Sequence, residues 1–290
     1  MWLQRCAWAL MLAVLSLLAV SALQVSVNTG LPSPDWAEVN PVIHRGLAGI
    51  ILVLSVALVA LAKQQKDVAG MTPLAVAILA IVLAQAALGM LMVSLGTNAF
   101  VGVVQAVLGH GLVTAVAVAS LWANPVWQEP PVLVENEFRP SLVAMAWWPA
   151  LLVAAQVVLG SAYRHGLIGV IPHLAGAMLV AGLLAVAGLL VATAYPGHRI
   201  LKAAAVRIVW LMAAQVIFGL VALAFRAGAE GWNQNLVLFT VAHVVLGSVT
   251  LAACVVLALV IQKHVTDAAV AHASSTNNRS AEGRTGARSN

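Results

Sequence analysis

This chain has very little charge. Charged residues make up 8% of its 290 residues and carboxylates number nine in all, which excludes an ordinary soluble domain, where about a quarter of the residues are charged. Cysteine is equally scarce: Cys6 and Cys254 both fall in apolar runs near one membrane face. Neither a disulfide in the outer loops nor a CxxC redox motif is available, so both read as core thiols. Period-2 alternation is absent, which argues against a β-barrel.

What is present is hydrocarbon. Hydrophobic residues are 62% of the chain and its mean hydropathy is +1.01. A membrane-spanning helix needs about 20 mostly apolar residues. Eight such stretches occur, at roughly 6–25, 42–62, 72–95, 100–122, 142–161, 168–194, 205–225 and 235–262. The first has Arg5 ahead of it and Ser21-Ala22 behind it, as a secretory signal would, but its run is longer than the usual apolar region of a signal and reads as helix 1. The expected fold is all-α, an integral membrane protein of eight transmembrane helices.

Lys and Arg in the loops set the orientation, because they are retained on the cytoplasmic side. With the N terminus inside, eleven fall on inner segments and three, Arg45, Arg164 and Arg226, on outer ends. Both termini are therefore expected in the cytoplasm, the protein being multi-pass in the cell inner membrane. The net charge of +5 and pI near 9.8 follow from that topology and call for no nucleic acid. Residues 263–290, rich in Ser, Ala, Asn and Arg, read as a disordered cytoplasmic tail.

Four histidines interrupt the apolar runs: His44, His110, His173 and His243. The first two are 66 residues apart and the last two 70, while His44 to His173 is 129 and His110 to His243 is 133. An ionisable side chain within a span is a functional hypothesis by default. A lone one can be a hydrogen-bonded core residue; a repeated pair of pairs points to two duplicated sites. A second pattern repeats too. Gln, two apolar residues, Leu or Phe, then Gly occurs from Gln85, Gln105, Gln156 and Gln215. Gln and Gly at i and i+4 share a helix face, and reading them as packing glue between helices outweighs direct cofactor contact. Together the repeats divide the chain into two pseudo-repeated four-helix bundles, 5–122 and 142–262, with a cytoplasmic linker at 123–141.

All four histidines fall on helices 2, 4, 6 and 8, which run from outside to inside, in or near their outer halves. His173 and His243 have similar depths, whereas His44 and His110 differ by about 9 Å at 1.5 Å per residue. Zinc normally takes four ligands and is often thiolate-rich in structural sites, but no Cys, Asp or Glu accompanies these positions. Haem needs only axial ligands and otherwise suits apolar walls. One bis-histidine haem per half is the better fit, with Arg45, Arg164 and Arg226 able to pair with propionates. His165, His198, His264 and His272 fall in loops or the tail and are expected to be solvated.

Several segments then resemble a known family. Thr29-Gly30-Leu31-Pro32-Ser33-Pro34-Asp35-Trp36 after helix 1, His44-Arg45, the Gln-x-x-Leu-Gly copies, Gly160 to Gly166 after helix 5 and His173-Leu174, in that order across residues 5–262, resemble the haem A synthases that serve cytochrome oxidase assembly. The resemblance implies an oxidoreductase that converts haem O to haem A by oxidising a methyl to a formyl group. It implies a substrate haem between His44 and His110 and a haem b between His173 and His243, passing electrons. Membrane lipid, a haem O synthase and cytochrome oxidase subunits are the implied partners, with an oligomer open. The chain departs from the family at Pro41, where a glutamate is expected three residues before the first histidine. Glu38, six residues before His44, is the candidate catalytic acid, with Asp35 the other carboxylate of that loop; Pro41 itself argues against continuous helix there. The alternative is a non-catalytic bis-histidine haem protein in electron transfer or oxidase assembly. A transporter fits less well, since the halves repeat in parallel and lack paired mid-membrane breaks.

Overall fold

A computed structural model describes residues 1–28, 36–65, 67–96, 98–136, 138–228 and 233–267, with side chains described for all of these but 27, 28 and 36–39. Peptide groups in hydrocarbon must find their hydrogen bonds within the segment, so each Ala, Val and Leu run closes on itself as helix. Eight long helices result: α1 (Trp2–Asn28), α2 (Trp36–Gln64), α3 (Met71–Leu95), α4 (Ala99–Trp122), α5 (Trp148–Arg164), α6 (Val170–Ala194), α7 (Arg199–Ala227) and α8 (Gln234–His264). All eight stretches are long and apolar enough to cross a membrane. A single turn, Leu142–Met145, precedes α5. The break between them falls where Pro149 enters the first turn of α5, a position that needs no N–H donor.

Two features differ from the sequence reading. Helix α2 begins at Trp36 and runs through Pro41; as the sixth residue Pro41 lies past the first turn, so the helix continues at the loss of the ladder bond to the Ala37 carbonyl. The last helix continues through Lys263 and His264, and Val265–Thr266 then pair with Val134–Glu135 as two short parallel strands, so ordered chain extends beyond 262. The rest of the expected tail, 268–290, lies outside the described residues.

Helices α4 and α8 are capped alike. The Asn98 side chain accepts from the N–H groups of Phe100 and Val101, and Asn233 from those of Asn235 and Leu236, satisfying donors that a helix start leaves orphaned. Around these helices the chain closes two circuits. Helix α1 packs on α2, α2 on α3, α3 on α4 and α4 back on α1; α5 to α8 close the same circuit. The halves meet through α4 against α8, α1 against α8 and α4 against α5. Helices α2 and α4 therefore stand diagonally across one bundle, as do α6 and α8 across the other.

Each bundle has its own apolar core, and both cores sit toward the end that carries the linker. In the first, Leu10, Leu58, Ile78 and Val116 are buried together; in the second, Leu184, Ile208, Leu257 and Ile261. The linker folds back over that end. His198 Nε2 and His264 Nδ1 both donate to the Val132 carbonyl, at 3.0 and 3.1 Å, with their rings 4.8 Å apart. Tyr195 donates to the Glu135 carbonyl at 3.2 Å, and Lys263 reaches the carbonyls of Trp127 and Glu129. His198 and His264 are 7% and 4% exposed, contrary to the solvated state expected of loop histidines. The linker supplies both a lid and a carbonyl acceptor, so burial leaves neither ring unpaired.

His198 also caps α7 by accepting from the Leu201 N–H at 3.2 Å. His198→Ala removes both the cap and the linker bond, each worth about 1 kcal/mol. Limited proteolysis should then cut within 123–141 severalfold faster than in the native chain.

Candidate functional site: histidines across two bundles

The end of the bundles away from the linker, here the histidine end, holds the polar residues that the cores exclude. In the C-terminal half, His173 on α6 and His243 on α8 meet across the diagonal with ring centroids 6.2 Å apart and planes at 87°. A metal–imidazole bond is about 2 Å long, so two rings binding one metal from opposite sides have centroids roughly 6 Å apart. The observed pair fits that separation.

Glycines make the room. A Cβ at Gly160 would stand 2.8 Å from His173 Cε1, and one at Gly219 would stand 2.7 Å from His243 Cε1. The fit is reciprocal: a Cβ at Gly176 would lie 2.5 Å from Gln156 Oε1, and one at Gly247 would lie 3.2 Å from Gln215 Nε2. Each glutamine thus fills the glycine notch of the helix whose histidine fills its own. In the first half the same motif joins α3 to α4: Gln85 Nε2 donates to the Gln105 carbonyl at 3.1 Å, and a Cβ at Gly109 would be 3.4 Å from that amide.

All four histidines are engaged through Nδ1. His44 Nδ1 is 3.3 Å from the Ser21 hydroxyl, which itself donates to the Leu17 carbonyl. His110 Nδ1 donates to the Ala106 carbonyl at 2.8 Å and His243 Nδ1 to the Gln215 carbonyl at 3.0 Å. His173 Nδ1 accepts from the Gln156 amide at 2.9 Å, and that amide also donates to the His173 carbonyl at 2.6 Å. A bond at Nδ1 fixes ring orientation; where Nδ1 donates, as in His110 and His243, the Nε2 lone pair is left for a metal, and His173 reaches the same state once the Gln156 amide turns its Oε1, buried without a partner among the described residues, toward the ring. The Gln215 amide stands 3.4 Å from His243 Nε2. Gln156 and Gln215 therefore hydrogen-bond the neighbouring histidine helices beside their i+4 glycines, which is the packing role expected of them, and the residues they hold are the histidines.

The arginines differ from one another. Arg164 at the end of α5 crosses to the first half, where Nη2 donates to the Ala22 carbonyl and, at 2.8 Å, to Ser26 Oγ on α1. Its Nη1 is buried and unpartnered, beside a pocket lined also by Arg226, Leu236, Val237 and Thr240. Such a donor suits a carboxylate. Arg226 lies 5.5 Å over the Tyr163 ring, and Tyr163 stacks on His173 with centroids 6.3 Å apart. Arg45 is exposed. His165, also expected to be solvated, is half-buried against Gly102 on α4, where a Cβ would be 2.5 Å from its Cε1. Burial, and then Arg164, hold its pKa below the ordinary histidine value.

These donors suit haem: two apposed imidazoles with no thiolate or carboxylate grouped with them among the described residues, and a buried cation with a free donor face. Residues 36–172 match the COX15-CtaA family, described as cytochrome oxidase assembly protein. No curated protein matches the chain. The COX15-CtaA match spans α2 to the start of α6, a little under half of the chain, and supports a role in cytochrome oxidase assembly. It includes His44, Arg45, His110 and Arg164.

Three expected site residues are placed less closely. His44 and His110 lie eight and eleven residues into α2 and α4; the ring contact of the other pair has no counterpart between them among the described residues. Glu38 belongs to α2, but its side chain is outside the described residues, as is Asp35 altogether. Sites in the C-terminal half, by contrast, are set by the glycine notches. Gly219→Ala should cost roughly 1–3 kcal/mol through overpacking, read as a lower unfolding midpoint in detergent. Gly182→Ala, where a Cβ meets nothing within 4 Å, should instead be neutral or slightly stabilising, since Ala is the better helix former.

Proposed function

We propose that this chain is a haem A synthase-like membrane oxidoreductase that converts haem O to haem A for cytochrome oxidase. The apposition of His173 and His243 at 6.2 Å carries this reading, and the family match, which covers His44 and His110, supports it. In this reading His173 and His243 hold a haem b, and His44 and His110 hold haem O, the substrate. The bound haems supply the redox-active iron.

The chain's own residues do the rest. Ser21, the Ala106 carbonyl, Gln156 and the Gln215 carbonyl orient the four rings. Gly160 and Gly219 let two of those rings reach the bundle interior. Arg164 Nη1 offers a propionate a charge-assisted bond, worth about twice a neutral one; Arg45 offers a second, solvated one. Tyr163, stacked on His173 and covered by Arg226, limits ring rotation. Glu38 is the proposed acid–base group that handles protons as the methyl is oxidised, near the start of α2, which faces the outer side when both termini lie in the cytoplasm. The setting is the cell inner membrane, with lipid around the bundle and a haem O synthase and oxidase subunits as partners.

A second reading, a non-catalytic haem protein in electron transfer or assembly, has one observation in its favour. The described carboxylates, Asp67, Glu129, Glu135 and Asp267, all lie at the linker end.

Purified protein should show low-spin bis-imidazole haem spectra, and His173→Ala or His243→Ala should remove the permanently bound haem. Unchanged stoichiometry and spectra in both variants would exclude these ligands. Glu38→Gln should lower haem A formation severalfold in membranes supplied with haem O while leaving haem content intact. Full haem A formation by the Glu38→Gln, Asp35→Asn double variant removes the acid role of this segment; no haem A from the native chain, with both sites loaded, favours the second reading.

A further inference from the structure

We propose that the adjacent residues Tyr163 and Arg164 couple the two histidine sites, so that loading one changes the affinity of the other. This rests on the haem-binding reading above and adds to it a regulation that neither half has by itself.

The two side chains leave the end of α5 in different directions. Tyr163 stays in its own half and stacks on His173, with planes 12° apart. Arg164 crosses into the other half and is hydrogen-bonded to Ala22 and Ser26 of α1. Ala22 follows Ser21 in sequence, and Ser21 is the residue that meets His44 Nδ1. Contacting or covalently adjacent groups therefore run unbroken from His173 through Tyr163, Arg164, Ala22 and Ser21 to His44. No other hydrogen bond between side chains of the two halves joins these layers among the described residues.

Guanidinium geometry turns this contiguity into a lever. The group is a rigid planar fork, so its two terminal nitrogens cannot move separately. Nη2 holds α1, while Nη1 is buried without a partner beside the pocket of Arg226 and Thr240. A carboxylate that enters this pocket, which Val25 and Ser26 of α1 line together with Arg226 and Thr240, takes Nη1 while Nη2 stays on α1, so one rigid fork is shared between that ligand and the segment of α1 that anchors His44.

Contiguity alone does not establish coupling; a measured dependence of one site on the other does. The haem affinity of the first site is to be compared between a chain with the second site loaded and the His243→Ala chain, in the native background, in Arg164→Gln and in Ser26→Ala. The native ratio should be at least about fivefold, the low end of allosteric couplings. It should fall to near unity in Arg164→Gln and to an intermediate value in Ser26→Ala, which keeps the charge and loses one anchor. A ratio undiminished in both variants overturns the proposal. Ser26→Ala carries the comparison if Arg164→Gln does not fold.

A second readout needs no haem. In chains labelled with 15N-histidine, His173→Ala should shift the ring-nitrogen resonances of His44, and the shift should vanish when Arg164→Gln or Ser26→Ala is added. Should no haem bind in either half, the haem reading fails and this measurement alone decides the coupling. A His44 resonance that ignores His173→Ala, or moves equally with and without the bridge, overturns it.

Discussion

An imidazole in a hydrocarbon bundle has to commit one nitrogen to a protein partner, because an unsatisfied polar group there is costly. Here that nitrogen is Nδ1 in all four span histidines. Much of the architecture follows from that choice. His110 finds its partner on its own helix, in the Ala106 carbonyl, while the other three reach a neighbouring helix, and for His173 and His243 glycine makes that near contact possible. For His173 and His243 the anchoring glutamine sits one turn from the glycine that admits the ring, and each histidine helix returns the favour with Gly176 or Gly247. Without a strong hydrophobic drive between helices in lipid, such small residues and interhelical hydrogen bonds also hold the bundle together. Site and packing are here the same contacts.

The division of each bundle into two zones has the same origin. Apolar residues such as Leu58, Ile78, Leu184 and Ile208 fill the linker end, where the folded-back linker adds hydrogen bonds from His198, Tyr195 and Lys263. The histidine end trades that density for polar side chains and glycine. Segments that bind ligands are commonly drawn from the less stable parts of a fold, and concentrating the cores at one end leaves the other free to accommodate a cofactor. Chain connectivity reinforces this, since the linker ties down the end that does not have to open.

Hydropathy made the eight helices legible, because length and apolarity alone decide which segments cross hydrocarbon. The span histidines were legible for the converse reason: polar groups stand out against Ala, Val and Leu. Loop histidines carry no such contrast, and His198 and His264 were misread as solvated because their burial comes from a linker roughly 66 and 132 residues away in sequence. Pro41 misled through a local rule, since α2 runs through it as an interior residue and forgoes one ladder bond there. Which residues the glutamines hold and how Arg164 reaches α1 are tertiary facts, invisible to spacing. A single-residue clue existed only for the glutamines, in the glycine four positions on.

The two lines of support for haem rest on different histidines. The family match covers His44 and His110 and ends at residue 172, one short of His173, so the His173 and His243 apposition is a separate observation, although Gly160, which makes room for His173, lies within the match. The halves also differ in a way that bears on their roles. His173 and His243 are already apposed at a metal-bridging distance, whereas His44 and His110 share no ring contact among the described residues. A preorganised pair lowers the ordering cost of binding and favours tight, lasting occupancy. A pair that must be drawn together binds more weakly and releases more readily. A resident haem suits the first arrangement and a substrate that arrives, reacts and departs suits the second, which is the assignment proposed on other grounds.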